Sequence, residues 1–272
     1  MAAAAIIKLS AMASKQNLGS HIRLDEAFGV YSSGSAEELA VGPLSLEVAR
    51  GEFVSIIGPG DRSKSLLLRM IAGLLPLQSG SIDFVGEGGP DAKSIGFVFE
   101  DSALLPWRNV LQNVTLEAEI RKLNRRDTEQ RARRLLTAMA LPGLEDQQAH
   151  ELKVEQAQRV AICRALLHEP QLLLMDDPLV RMDFAAREHF ATDFQRLWME
   201  SRFTAILATG DISEAVQLSD RVVLMSPSPG RIVHVLEIDL PRPRRLDKAT
   251  TPQIAELASR IRTIFRAQGL TY

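Results

Sequence analysis

The sequence predicts an α/β fold, a mainly parallel core sheet flanked by helices, and three stretches carry that prediction. Phe53-Val54-Ser55-Ile56-Ile57 is a short apolar run that turns abruptly at Gly58, and a helix opens near Lys64. Gln171-Leu172-Leu173-Leu174-Met175-Asp176-Asp177 stays apolar until it closes in two carboxylates. That is the pattern of a buried parallel strand with its polar residues at the carboxyl end, where α/β sites lie. Ala205–Ala208 reads as another buried strand, preceded by a long helix whose apolar face is Phe190, Phe194, Leu197 and Trp198.

The remaining elements follow from local signals. Residues 1–22 show no period and are expected to form a loose extension, with Met12 able to serve as an alternative start. Leu44–Val48 alternates as a half-buried strand and turns at Arg50-Gly51. Ser81–Val85 and Ile95–Phe99 read as strands separated by the turn-rich stretch Gly86–Asp91, and from Leu104 the character becomes helical. Asp127 with Gln130 resembles a capping box for a helix carrying Ala132, Leu135, Leu136 and Met139, ended by Pro142-Gly143. A second helix spans Gln156–Leu167, and Ile212–Ser219 is a short one. Arg221–Met225 and Arg231–Ile238 flank the turn Ser226–Gly230 as a hairpin. Pro241–Arg245 reads as a linker, after which Thr251 caps a final helix with Ile254, Leu257, Ile261, Ile264 and Phe265 on one face.

Composition narrows the function. Of 272 residues, 46% are hydrophobic and 24% charged, ordinary for a globular protein. A net charge of -2, from 32 basic and 34 acidic residues, gives no argument for nucleic acid or anionic membrane as a partner. The one cysteine, Cys163, excludes an internal disulfide and sits among Val160, Ala161, Ile162 and Ala165 as a small buried thiol. No apolar run approaches the ~20 residues needed to cross a bilayer, and Met1–Ile7 lacks the basic start of a secretory signal. A cytoplasmic product is the expectation.

The loop after Phe53–Ile57 follows the Walker A pattern G-x-x-x-x-G-K-[ST] at every position but one, since Ser63 stands at the second glycine. The amides and dipole of the helix N-terminus that it opens favour an anion, and Lys64 would reach outer phosphates.

With that loop and the acidic strand end, the chain resembles, from about residue 23 to 268, the nucleotide-binding subunit of an ATP-binding-cassette (ABC) transporter. It is most similar to subunits of nitrate/sulfonate/taurine-type importers, on Gly96–Val114 (GFVFEDSALLPWRNVLQNV), Gln158–Leu166 (QRVAICRAL) and Leu240–Arg244. The resemblance implies a P-loop NTPase cassette over 23–240, with an antiparallel β subdomain and a helical subdomain at about 103–160. The linker and C-terminal helix would fill 241–272. It implies ATP and Mg²⁺ as cofactors, and cassette pairs that sandwich nucleotide between the Walker motifs of one subunit and the signature motif of the other. The second cassette would be a like or an unlike chain. Further partners would be integral-membrane permease subunits and, indirectly, a substrate-binding protein. Nucleic acid is not implied, and the location would be peripheral, on the inner face of the plasma membrane.

Residue by residue, the resemblance makes Gly58, Pro59, Gly60, Asp61, Arg62, Ser63, Lys64, Ser65 and Leu66 the phosphate loop. Asp61 and Ser63 replace glycines. A side chain forced into left-handed geometry there costs roughly 1–2 kcal/mol, and a carboxylate about 4 Å from a phosphate charge is repelled by roughly 4 kcal/mol. Weakened nucleotide binding is therefore expected. Asp176, with Ser65, matches the magnesium-holding carboxylate and hydroxyl. Asp177 stands where the family has a glutamate that polarises the attacking water; the acid is shorter by one carbon–carbon bond, roughly 1.5 Å, and misplacement of that size can cost about a hundredfold. Glu100 replaces the glutamine that couples the Mg²⁺ site to the membrane subunit, and with Ser65 and Asp176 it is assigned to the metal site. In the step Thr209-Gly210-Asp211, Gly210 replaces the switch histidine, and none of His21, His150, His168, His189 and His234 lies at an equivalent place.

The signature motif is altered most, reading Leu152-Lys153-Val154-Glu155-Gln156, while Asp183 still matches the dimer-contact aspartate. Tyr31 is placed either to stack on adenine or to pack. Leu104, Leu105, Pro106 and Trp107 fit the membrane-coupling surface. Chemical positions depart and structural ones do not, which points to a folded pseudo-ATPase kept for coupling or regulation. An active ATPase with unconventional residues, resting on Lys64, Ser65, Asp176 and Asp177, stays open beside it. So does a soluble nucleotide-sensing or protein-binding module.

Overall fold

A computed structural model describes residues 20–32, 38–59, 62–85, 95–245 and 251–270. Gly60 and Asp61, most of the N-terminal extension and the Gly86–Asp91 turn lie outside the described residues.

The core is a six-stranded sheet in the order β5-β6-β7-β3-β8-β9. Its members are β3 (Phe53–Ile57), β5 (Ile95–Val98), β6 (Leu172–Asp176), β7 (Thr204–Thr209), β8 (Arg221–Met225) and β9 (Ile232–Glu237). All neighbours run parallel except β8 and β9, which form the expected hairpin. Every residue of β3, β6 and β7 is buried, because helices cover both faces; that is why these strands read as unbroken apolar runs. The register pairs Ile57 with Thr209 and Asp176 with Ala208, so Gly58, Asp177 and Gly210 leave the sheet along one edge.

A separate antiparallel sheet, β2-β1-β4, is built from β1 (Ser20–Ser32), β2 (Glu38–Ala49) and β4 (Ser79–Phe84). Here the sequence reading fell short: β1 takes in Ser20–Ile22, assigned to the extension, and β2 is longer than Leu44–Val48. Register shifts between Leu24 and Ala27 and again before Gly29, with Glu26 at φ 45°, break the alternation that would have marked β1.

Helix α1 (Ser63–Ile71) packs between the two sheets in a core that includes Leu67, Leu68, Val54 and Leu46. The helical layer holds α2 (Val110–Val114), α3 (Leu116–Ile120), α4 (Arg125–Ala138) and α5 (Val154–Leu166), and shares a core with α6 (Phe184–Ser201). Phe190, Phe194 and Trp198 of α6 are buried against this core, with Leu197 beside them. The cap of α4 is Asn124, which accepts from the amides of Arg126 and Asp127, not the Asp127 and Gln130 pair.

Helix α7 (Ile212–Leu218) and the final helix α8 (Thr251–Ala267) close a third core with β8 and β9, so α8 packs on its own domain through Ile254, Ala258, Ile261 and Phe265. The stretch read as a linker is a buried strap. Arg244 is 1% exposed and donates to the carbonyls of Val216, Ser219, Ile238 and Leu240. Arg242 pairs with Asp220 at 2.9 Å and lies over the Trp198 ring.

Candidate functional site

The edge where β3, β6 and β7 end assembles a compact polar cluster. Lys64, only 8% exposed, is folded over the loop, and its Nζ donates to the Gly58 carbonyl at 2.9 Å. Ser65 Oγ donates to Asp176 Oδ1 at 2.6 Å, joining the first turn of α1 to the end of β6. Ser63 is fully buried and begins α1 with ordinary helical angles. It is absent from the residues with positive φ, so the left-handed strain expected at that position does not arise. Arg62, exposed, precedes it; Leu66, buried, makes the first helical bond of α1, its amide donating to the Arg62 carbonyl at 2.9 Å. Pro59 is half-buried beside Gly58.

Asp177 leaves β6 at φ 43°, in the left-handed region that costs a side chain energy, while its amide donates to the Ala208 carbonyl at 2.8 Å. Thr209 has one hydroxyl proton, shared between Asp177 Oδ1 at 3.4 Å and Glu214 Oε2 at 3.0 Å. The same oxygen accepts from the Asp211 amide at 3.0 Å. Asp211 caps α7 through the amides of Ser213 and Glu214 and is held by Arg187 at 3.0 Å.

Burial raises the carboxyls of Asp176 and Asp177 above the ordinary range. Ser65 and then Arg69 oppose the rise at Asp176, and Lys64 opposes it at Asp177. Glu100, exposed at the end of β5, adds negative field at both. Glu214 is fully enclosed and pushed up to about 8, chiefly by burial and then by Asp177. Sequence reading did not single it out, because a glutamate in the first turn of a short amphipathic helix looks like a solvated dipole partner.

Gly210 is exposed, and a Cβ built there would sit 3.8 Å from Asp177 Oδ2, an ordinary contact. The position lacks an imidazole, and the space at its Cα admits a Cβ.

The donor set suits a hard divalent cation. Ser65 Oγ, a hydroxyl, lies 2.6 Å from Asp176 Oδ1, an oxygen of a buried carboxylate that would gain from a nearby positive charge. Among the described residues no three acidic, histidine or cysteine side chains gather as a metal cage.

Other predicted residues lie elsewhere. Lys153 stands at the N-cap of α5 with extended backbone, its amide donating to Gln156 Oε1 at 3.0 Å; Lys153 and Val154 are exposed, Leu152 and Glu155 half-buried. Gln158 on the same helix donates to the Phe99 carbonyl at 2.7 Å, tying α5 to the end of β5 beside Glu100. Asp183 is exposed and caps α6 through the Ala186 amide at 2.8 Å. Tyr31 lies over Gly29, donates to the Pro76 carbonyl at 2.6 Å, and packs against the core that holds α1. Leu104 and Leu105 are half-buried, while Trp107 is 73% exposed on the rim of a groove of about 840 Å³ that also includes Leu111, Leu123, Arg108 and Arg125. Cys163 is buried with its thiol pushed up to about 12, so it is not a nucleophile. No helix among the described residues is long and apolar enough to cross a membrane.

Against known proteins, the family model described as ABC transporter matches residues 41–180. The chain is 37% identical to the aliphatic sulfonates import ATP-binding protein SsuB of Bacillus licheniformis, over 82% of this chain and 86% of that protein. It is 37% identical to the taurine import ATP-binding protein TauB of Escherichia coli, over 75% of this chain and 80% of that protein. The nitrate import ATP-binding protein NrtC of Synechococcus elongatus matches at 37% over 86% of this chain, which spans only 36% of NrtC. Among solved structures, the dimeric ATP-binding cassette MJ0796 in a post-hydrolysis state bound to ADP and Pi superposes with a TM-score of 0.70. It is 26% identical, covering 80% of this chain and 99% of that one.

Proposed function

The chain belongs to the ABC transporter family, and on that premise we propose that it is the ATP-binding subunit of an importer for a small oxyanion or sulfonate, with hydrolysis impaired. The substrate class is taken from the named relatives, whose nitrate, sulfonate and taurine share a compact anionic or zwitterionic chemistry. In this reading Lys64 and the α1 amides bind phosphates, and Ser65 with Asp176 holds Mg²⁺. Bound Mg²⁺ neutralises phosphate charge and fixes its orientation. Asp177 would orient water, and Thr209 would steady Asp177 through the shared hydroxyl proton. Trp107 and its groove would receive a permease subunit, and Leu152–Gln156 and Asp183 would face a second cassette.

The observation that carries the reading is the asymmetry of the site. On the binding side, Lys64 bonds the Gly58 carbonyl and Ser65 bonds Asp176, which supports a phosphate and Mg²⁺ site. The hydrolytic half is thinned, with Gly210 bare opposite Asp177, a shortened acid at 177 and a carboxylate at 100. Both composite sites of any pair containing this chain would use at least one altered half.

Calorimetry with MgATP and Lys64→Ala as the control tests the binding half; measurable affinity lost in the variant is expected. ATP turnover in vesicles carrying the permease tests the other half. Turnover is expected at least about a hundredfold below that of an intact cassette, rising in Gly210→His. Rapid turnover by the purified chain, abolished by Lys64→Ala, would overturn the impaired-hydrolysis reading.

A further inference from the structure

The turn between β8 and β9, Ser226–Gly230, leans on the phosphate loop at two places. At the first, the backbone leaving β8 meets the loop's first glycine: a Cβ built on Gly58 would come 2.7 Å from the Met225 carbonyl oxygen. At the second, the end of the turn meets the first residue of α1. A Cβ built on Gly230 would come 2.8 Å from Ser63 Cβ, 3.2 Å from Ser63 Oγ and 2.9 Å from Met225 Cε.

Gly230 does not have positive φ, so its backbone would accept alanine. What excludes a side chain there is room. Met225 Cε is the end of a flexible chain and can move, whereas Ser63 cannot. It is fully buried, and the direction of its Cα–Cβ bond is fixed by the helix it begins.

The turn cannot retreat either. The Gly230 amide donates to the Ala40 carbonyl at 2.8 Å, and the Gly42 amide donates back to the Gly230 carbonyl at 2.8 Å. The Ala40 amide donates to Ser228 Oγ at 3.0 Å, and Ser226 Oγ braces the turn from inside on the Pro229 carbonyl at 2.9 Å. Gly230 is thus a fixed wall, moored to β2, against which the start of α1 rests. The next two residues after Ser63 are Lys64 and Ser65.

We propose that Gly230 is a positioning residue for the phosphate loop, interlocked with Ser63 so that the β8–β9 turn sets where α1 places Lys64 and Ser65. The serine at 63 and the missing side chain at 230 are two halves of one fit. This rests on the reading that the loop binds nucleotide phosphates. At such sites a displacement of about 1 Å can cost a hundredfold.

The test uses four full-length proteins: wild type, Gly230→Ala, Ser63→Gly and the double variant. Two quantities are read: hydrogen exchange of the Leu66 amide, which reports the first turn of α1, and the Kd for MgATP. Gly230→Ala is expected to speed Leu66 exchange and raise Kd by at least about tenfold, the scale of a misplaced binding group. Adding Ser63→Gly removes the colliding atoms and should return both to within about twofold of Ser63→Gly alone, the error allowed for uncoupled changes. Unchanged exchange in Gly230→Ala, or a double variant as perturbed as Gly230→Ala, overturns the proposal. If wild type binds no MgATP, the functional reading fails, while the exchange pattern still decides the interlock. If Gly230→Ala does not fold, a folded double variant supports the fit and an unfolded one overturns it.

Discussion

Glu214 shows what a single side chain costs at this edge of the sheet. Its Oε2 accepts from Thr209, its Oε1 meets no hydrogen-bond partner among the described residues, and burial holds its proton up to about 8 against an ordinary 4.5. The unfolded chain releases that proton near 4.5 and the folded one does not. The stability tied to Glu214 is therefore full below pH 4.5 and lost as pH climbs to about 8. Asp176 and Asp177, also raised, add to the same slope, with Asp211 and Arg187 as the further charges near Glu214. Glu214→Gln should narrow the gap between urea midpoints measured at pH 5 and pH 8 and stabilise the protein at the higher pH. An unchanged gap would place the proton elsewhere. Of these residues, Lys64 and Ser65 stand out in the sequence inside a phosphate-loop pattern, while Asp176 and Gly210 are singled out by the family resemblance. The sequence could not reveal that Ser63 keeps helical angles or that Glu214 is enclosed, since both depend on what packs against them from far along the chain.

At the scale of elements, the loop carrying Trp107 is held by one side chain from the helix after it. Asn113 is fully buried; its Nδ2 donates to the carbonyls of Leu105, Arg108 and Asn109 at 3.1, 3.2 and 3.0 Å, and its Oδ1 accepts from the Leu105 amide at 2.8 Å. That fixed base lets an indole stand out into solvent without the loop collapsing over it. Asn113→Ala removes an amide whose two N–H groups and carbonyl oxygen tie down this loop, and should cost about 2–4 kcal/mol in chemical unfolding. Trp107→Ala should change stability by less than about 0.5 kcal/mol yet abolish co-purification with the permease subunit. Retained association would move the docking surface away from this groove. Sequence periodicity found α4, α5 and α6 of this layer, but it started helical structure at Leu104, whereas the first helix begins at Val110, and did not separate α2 from α3. It also misplaced the α4 cap, because Asn124 and Asp127 are both good capping residues and only the backbone decides between them.

Across the whole molecule, the sheet order brings together pieces that the chain keeps apart: β3 lies between β7 and β8, and the loop after β3 is backed by the turn after β8. Buried strands and helix faces announced the α/β class, but strand order and the antiparallel sheet came from long-range pairing that no local pattern encodes. The strap at 242–244 is the clearest misreading. A run of prolines and arginines suggests solvent, yet Arg244 is enclosed because the carbonyls of Val216, Ser219, Ile238 and Leu240 need a donor and a guanidinium offers five. Arg244→Ala removes the side-chain donor from those carbonyls and should destabilise in urea unfolding by about 1–3 kcal/mol for each carbonyl that finds no other partner.

The strap also bears on how the protein is made. Residues 242–244 leave the ribosome after every residue of the phosphate loop and both acidic strand-end residues. Until they emerge, Gln195 and the last carbonyls of α7 lack their partner. A chain ending before them would carry Lys64, Ser65, Asp176 and Asp177 on a body that lacks these bonds, and is expected to be cleaved faster by protease than the full chain.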